Sequence, residues 1–419
     1  MSNYILSKSI WINAILPYLM TDAITNPIYN LRLSCKYFDG IFTIESCGRI
    51  LGWLGLSKIF FDKSIELTNV IFIKEISLIM EVKKDIGKHD VNWASLHDKI
   101  NVLQWLLESG LNTDSEGSID MASNMGHVNV LQWWLNSGLI LKYTVNAMHF
   151  ASVGGHIDVL QWWLESGLEL KYTDTAICAA CVDGLVDVVE WWLDSGLEFT
   201  NANSAIDHAS AYGHINILNM CSVKFKNIVY DREWKLGYSE DSIVMASVKG
   251  HVNVLQWWLD SKLPLKYTYN AINFASANGH INVLQWWLDS GLELKYTDSA
   301  INNTCQYKGV NVLQWWLDSG LEMKYSKFAI DNASNGKHYN VLNWWLNEHS
   351  KSGLELKYSM EAIEYASNND CIDVLNWWKE SGLPLKYTQD VVNYAFEFGK
   401  NNIKQWWTSI GEKPKLNPA

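Results

Sequence analysis

At 419 residues the chain is long enough for two or three ordinary domains or one long array. Its 48% hydrophobic and 19% charged content lets it bury a large core and excludes global disorder. A net charge of -12 and a pI near 5.4 exclude a general nucleic-acid binder, whose footprint is basic.

Residues 1–20 are fairly apolar, but Lys8 and Pro17 interrupt them and no small-x-small cleavage site follows. No signal peptide is expected. No run of 18 or more apolar residues occurs, so no membrane span is expected either. The protein is therefore expected inside the cell, with its seven cysteines reduced. Two stretches stand out, "WINAILPYLM" (11–20) and "LRLSCKYFDGIF" (31–42). Through Ile15, Leu16, Tyr18 and Leu19, then Leu31, Arg32, Leu33, Cys35, Lys36 and Phe38, they resemble the F-box, a short helical module. The opening Leu-Pro of that motif is absent, and extra residues lie in "TDAITNPIYN". The resemblance implies a Skp1-type partner held through Ile15, Leu19, Leu31, Leu33 and Phe38, and so a link to a ubiquitin ligase. The same residues also read as two amphipathic helices capping the end of an array, which a solenoid needs in any case. Residues 1–45 form this module or cap. Residues 46–88, including "NVIFIKEISLIMEV", form a degenerate helical linker.

From residue 89 to 410 the sequence repeats. A tryptophan pair, or its equivalent, begins at 105, 133, 162, 191, 257, 286, 315, 344, 377 and 406. Most steps are 29 residues. The step of 66 from Trp191 to Trp257 is two repeats plus an insertion of eight, with Met220-Cys221 in the tryptophan places. The step from Trp344 to Trp377 carries four extra residues within "NEHSKSG". The array is therefore irregular at 220–237 and 347–350, and holds about eleven units. A fixed period of this length marks a solenoid, in which each unit covers the apolar face of the next. In the unit that begins "YTYNAINFASANGH", Thr268 is the expected N-cap of a short helix with Ala271, Ile272, Phe274 and Ala275 on it, ended by Gly279. A second helix carries Ile281, Val283, Leu284, Trp286, Trp287 and Leu288. The glycine of "SGLEL" ends it, and "LELKYT" connects to the next unit. Residues 411–419 are expected to be a disordered tail.

Adjacent residues on a helix point about 100° apart. One tryptophan of each pair is thus expected to face its own unit's partner helix and the other the next unit, so that the rings act as mortar between repeats. The competing reading is an aromatic ladder for stacked bases or sugars; an acidic chain lacks the cationic groove that would accompany it.

At these residues the chain resembles the ankyrin repeat. Phe274-Ala275-Ser276 stands near the family's Leu-Ala-Ala, Gly279-His280 matches its Gly-His, and "VLQWWLDSGLEL" follows its second helix. Ala271 and Asn273 replace the Pro and His, and each unit is four residues short in the connector, which puts full β-hairpin fingers in doubt. Short, tryptophan-rich units of this kind are similar to the ankyrin arrays of giant DNA viruses of amoebae, which would place the protein in host cytoplasm. The expected fold is all-α: an ankyrin-type helical solenoid of about eleven 29-residue helix-turn-helix repeats with a small N-terminal helical module.

Candidate chemistry is sparse. His127, His156, His214, His251, His280 and His338 recur at the Gly-His place. Spaced by one packed helix, ~8–10 Å apart, they cannot share a metal at ~2 Å bonds, and a structural hydrogen bond is expected instead. Cys178-x-x-Cys181 has no second pair to complete a zinc site. Lys142, Lys171, Lys266, Lys295, Lys324, Lys357 and Lys386 recur in "LKY", with acids such as Glu169 and Glu293 two residues earlier. They read as a solvated mixed-charge edge rather than an anion-binding stripe. No P-loop, G-x-S-x-G or H-E-x-x-H is present. No enzyme, no cofactor and no metal are expected.

In so repetitive a chain, information lies where the repeats differ. One such position runs Met125, Gly154, Asp183, Tyr212, Lys249, Asn278, Tyr307, Gly336, Asn369 and Phe398. The residues at the start of each first helix vary too, as in Tyr269-Asn270 and Lys327-Phe328. By resemblance to ankyrins both border the concave face that binds protein partners, which nominates Met125, Tyr212, Lys249, Asn278, Tyr307 and Phe398. Relaxed drift at exposed positions is the alternative. The expected function is a monomeric protein-interaction scaffold, either an adaptor between a host target and a Skp1-type ligase or a plain binding scaffold, with no nucleic acid and no membrane.

Overall fold

The computed structural model describes residues 88–108, 117–199, 203–226, 237–307 and 309–415. The F-box-like residues Ile15, Leu19, Leu31, Leu33 and Phe38, and the linker up to residue 87, lie outside these. Among the described residues all regular structure is helical. Eleven helix pairs run from Lys88–Leu96 with Ile100–Glu108 to Gln389–Phe398 with Asn401–Ser409. This is an ankyrin-type stack of helix-turn-helix repeats. By compactness the chain divides into two units, residues 1–176 and 177–419, whose described residues are built from the same repeat.

The pair Asn270–Ala277 and Ile281–Asp289 shows why this sequence folds so. Ala271 and Ala275, one turn apart, are fully buried beside Ile272. Short side chains on that face let first helices lie close together, and Asn270–Ala277 packs on both Asp241–Lys249 and Ser299–Gln306. The second helix buries Val283, Leu284 and Trp287 on one side. The turn between them is fixed by the backbone. Gly279 takes φ 82°, its N–H donates to Ser276 O at 3.1 Å, and the His280 N–H donates to Ala275 O at 2.9 Å. These two bonds close the first helix in a Schellman turn, which needs a left-handed residue at the glycine position.

Thr268 does not cap this helix. The helix starts at Asn270 with no side-chain cap bond, and Thr268 offers only its carbonyl, to the Ala271 N–H at 3.2 Å. The equivalent Thr297 explains the difference. Asn273, 24 residues earlier, accepts the Thr297 N–H at 3.0 Å and donates to its hydroxyl at 2.8 Å. The threonine hydroxyl is thus a tie to the preceding repeat. Twenty-four residues before Thr268 stands Val244, which offers no polar atom, and Thr268 Oγ1 is buried without a hydrogen-bond partner.

The tryptophans do serve as mortar, but not by facing opposite ways. In most pairs both indole N–H groups reach back to the preceding repeat; in the last, Trp407 does so while Trp406 Nε1 is buried without a partner. Trp287 is 1% exposed and donates to Ser247 Oγ at 3.2 Å. Trp286 is only partly buried and donates to Gln256 Oε1 at 2.9 Å. The same two bonds recur in Trp163 to Ser123 and Trp162 to Gln132, and in Trp316 to Ser276 and Trp315 to Gln285. Within a pair the rings meet edge to face, at 5.2 Å for Trp286 and Trp287. Burying the inner ring removes ~150–250 Å² from water, worth ~4–6 kcal/mol at about 25 cal/mol per Å². That is why its place is so rarely given up.

Helix runs into both irregular stretches. Met220 and Cys221 sit inside a helix lengthened to Ile215–Lys226. The four extra residues near 347–350 are helical as well and extend Tyr339–Ser352 to 14 residues. The expected tail is held at its start: Lys415 N–H donates to Asn393 Oδ1 at 2.9 Å, and Gln389 donates to Lys413 O at 3.1 Å.

Candidate functional site

The residues singled out for chemistry prove to be ties between repeats. Five of the six Gly-His histidines turn Nε2 to the last turn of the preceding repeat's first helix. His127 meets Leu96 O at 3.0 Å, His156 meets Asn124 O at 3.0 Å, and His214 meets Val182 O at 2.8 Å. A carbonyl can only accept, so the ring donates from Nε2. His251 makes the same bond to Ala211, and burial holds its pKa below the usual histidine value, with His214, His280 and Lys249 near enough to add to that. Among the described residues no three His, Cys, Asp or Glu side chains are grouped to hold a metal ion.

The lysines of "LKY" do form a mixed-charge edge, with Lys295 3.6 Å from Glu293 and Lys357 3.8 Å from Glu355, but they are also held from below. Six of the seven, from Lys171 onward, sit over the tyrosine of the preceding repeat: Lys266 Nζ is 4.4 Å from the Tyr238 ring centre and Lys386 Nζ 4.0 Å from that of Tyr358. The ammonium also donates to that tyrosine's carbonyl, at 3.0 and 2.9 Å. The tyrosine in turn packs on the next inner tryptophan, as Tyr267 does on Trp287 at 4.8 Å, and donates forward to a carbonyl, Tyr267 to Glu293 at 3.2 Å. The attraction of a cation for a ring face is worth ~0.5–2 kcal/mol, and with the carbonyl bond it fixes the ammonium in place. Sequence spacing showed one lysine per step; it did not show the ring beneath.

The cysteines are buried and poorly disposed to ionise. Cys305 accepts the Trp345 indole N–H at 3.3 Å in the place of the usual serine, and burial pushes its thiol up to about 12. Burial also pushes the Cys181 thiol well above its ordinary value, with Cys221 and Cys178 adding to the shift. Cys181 stands where other repeats carry the serine that receives the inner tryptophan, and Cys221 stands in place of that tryptophan. The thiolate is the reactive form, so these groups are packing residues. Asp331 is fully buried and its carboxyl is raised by burial, against the pull of two bonds from Ser359. It too ties neighbouring repeats.

What remains is the outward face of the first helices. Nearly all the exposed large apolar side chains lie there or in the flanking turns; only Ile140 and Val223 do not. In the first unit Met125 is 44% exposed. In the second, Tyr212, Tyr307 and Phe398 are 48%, 63% and 64% exposed. Lys249 and Asn278, at the same repeat position, are exposed between them. The structure brings two of the nominated residues together directly: Lys249 Nζ lies 6.0 Å over the Tyr212 ring. Asn278 donates to Val248 O at 3.0 Å. Sequence variability at one repeat position found this row. It missed a second, parallel row on the same helices, Phe274, Tyr365 and Tyr394, which Asn303 and Asn332 interrupt at the equivalent position of the repeats between. Phe274 in particular, read as part of the apolar side of its helix, is 42% exposed.

Residues 243–288 match the family model described as ankyrin repeats (many copies). No curated protein matches the chain. No helix among the described residues is long and apolar enough to cross a membrane.

Proposed function

We propose that this ankyrin-type stack is a non-enzymatic scaffold that holds a protein partner against the outward face of its first helices. The observation that supports this is the division of labour within the repeat. The tryptophan, histidine, lysine and threonine positions are spent on ties between repeats, whereas the first-helix face spends apolar side chains on solvent. Contiguous exposed apolar surface on a folded protein usually marks a contact site. The test is capture of a partner by the full chain, compared with a variant carrying Tyr212→Ser, Tyr307→Ser and Phe398→Ser. Loss of capture with unchanged thermal stability is expected. Capture that survives these changes overturns the assignment of the face.

A second reading makes the scaffold a substrate adaptor for a Skp1-type ubiquitin ligase, with a host protein as the target. It rests on the F-box-like pattern of Ile15, Leu19, Leu31, Leu33 and Phe38 alone. Under it, the double change Ile15→Asp, Leu19→Asp abolishes Skp1 binding and leaves the melting of the array unchanged. If those residues cap the array instead, the same change lowers its stability, because charges enter an apolar end interface.

A further inference from the structure

We infer that the first-helix face of the second unit receives an arginine-bearing, extended segment of its protein partner, with guanidinium groups laid on the exposed rings and paired to the acids between them. This rests on the scaffold reading and adds the chemistry of the partner. Three observations support it.

The face already shows how it treats a cation. Lys249 Nζ lies over Tyr212 at 6.0 Å, and Lys327 Nζ lies over Phe328 at 5.1 Å. Tyr269, Tyr307, Tyr394 and Phe398, each at least half exposed, have no lysine above them among the described residues. Arginine suits such rings better than lysine, since its guanidinium is planar and less strongly hydrated.

The charge balance of the face is one-sided. Among the described residues its cations are engaged at home: Lys249 with Tyr212, Lys327 with Glu361 at 3.3 Å, Lys400 with Asp370 at 3.1 Å, and Lys337 with the Cys371 side chain. Glu240, Asp241, Asp390 and Glu397 are exposed on the same helices and turns and form no ion pair among the described residues. The acidic excess of the chain belongs to the array as well, for the first 87 residues hold nine basic and eight acidic side chains. A basic segment is the complement of such a face.

The spacing also fits. Equivalent positions on successive first helices recur at about 8–10 Å. An extended chain advances about 3.3 Å per residue, so arginines three residues apart keep step with the repeats.

The test uses the full chain and three fluorescein-labelled peptides, four copies each of Arg-Ser-Leu, Lys-Ser-Leu and Glu-Ser-Leu, followed by anisotropy. The arginine peptide is expected to bind, the lysine peptide more weakly, and the glutamate peptide not at all. The double variant Tyr307→Ala, Phe398→Ala should weaken the arginine peptide by about tenfold or more, as for residues central to a contact. Asp241→Asn with Glu397→Gln should weaken it several-fold. Asp260→Asn with Asp289→Asn removes as much charge from the second helices and should change nothing. Equal losses from both acid pairs would mean attraction to net charge alone and overturn the proposal, as would undiminished binding by the aromatic variant. Should the serine variant of the scaffold test lose its partner while no arginine peptide binds, the partner chemistry falls and the scaffold stands. Should capture survive that variant, the face itself falls.

Discussion

His280 lies so close over Gly250 that a methyl group built on that glycine would stand 2.8 Å from the ring's Nδ1. Gly250 closes its own first helix at φ 84°, and His280 belongs to the following repeat. The Gly-His signature is therefore two requirements from two repeats. Where the following repeat has no histidine, the second lapses: Gly279 is followed at that position by Gly309 and has nothing within 4 Å of a built methyl. Lys337 and Asp370 hold the left-handed turn without being glycine, at φ 62° and 54°, and the following repeats present Cys371 and Lys400.

Gly279→Ala should then cost only the left-handed backbone, about 1–2 kcal/mol. Gly250→Ala should cost more, by about 1–3 kcal/mol for displacing the ring. Adding His280→Ala should recover that excess and little else. Denaturant melts of the three variants check this; equal costs at the two glycines would show that the ring gives way freely.

Thr268→Val should raise stability by about 1 kcal/mol, since it removes a buried hydroxyl that has no partner. Thr297→Val, the same change one repeat later, should lower it by about 1 kcal/mol, since it breaks the bond from Asn273. Opposite signs from one substitution at two equivalent positions are the outcome to look for in thermal melts.

Trp287→Ala should cost about 3–5 kcal/mol, as large core truncations do. Trp286→Phe should cost about 1 kcal/mol, the value of its single bond to Gln256. A cost within 1 kcal/mol for the first change would make the inner ring decoration.

His251 has its pKa depressed by burial, partly offset by its bond to Ala211, with His214, His280 and Lys249 adding to the depression. The unfolded chain then takes up the proton first, near pH 6.5. The stability at stake is fully present above that pH and is lost as pH falls through the folded value. His251→Gln should flatten the decline of the unfolding midpoint between pH 7 and 5. An unchanged slope would place the sensitivity elsewhere.

The period, the helix pairs and the turn glycines were legible in the sequence because each depends on residues within one repeat. Their partners were not, because the ties between repeats join residues 24 to 48 apart that no local pattern connects. Thr268 looked like a cap because a threonine before a helix is one by local rules; its real counterpart lies at 244. The lysine of "LKY" looked solvated because the ring under it belongs to another repeat. The exposed row at Tyr212, Tyr307 and Phe398 was found by a different logic, as departures from the repeat, and a row that departs less, such as Phe274 and Tyr394, escaped it.

Nearly every tie points the same way along the chain. Trp287 reaches back to Ser247, His156 to Asn124, Thr297 to Asn273 and Lys266 to Tyr238. The tyrosine hydroxyl reaches forward at the surface, and the Asn273 amide and the buried Ser276 hydroxyl also donate to the next repeat. Each unit is thus directional, like a row of tiles laid with a consistent overlap. Lifting repeats from the C-terminal edge uncovers mainly acceptors, and a spare carbonyl or hydroxyl is tolerated. Lifting them from the N-terminal edge bares the large inner indole ring that the preceding repeat covered, a loss of apolar burial. Shortening the chain from its C-terminal end should therefore leave foldable remnants down to a few repeats, whereas equal losses from the other end should not.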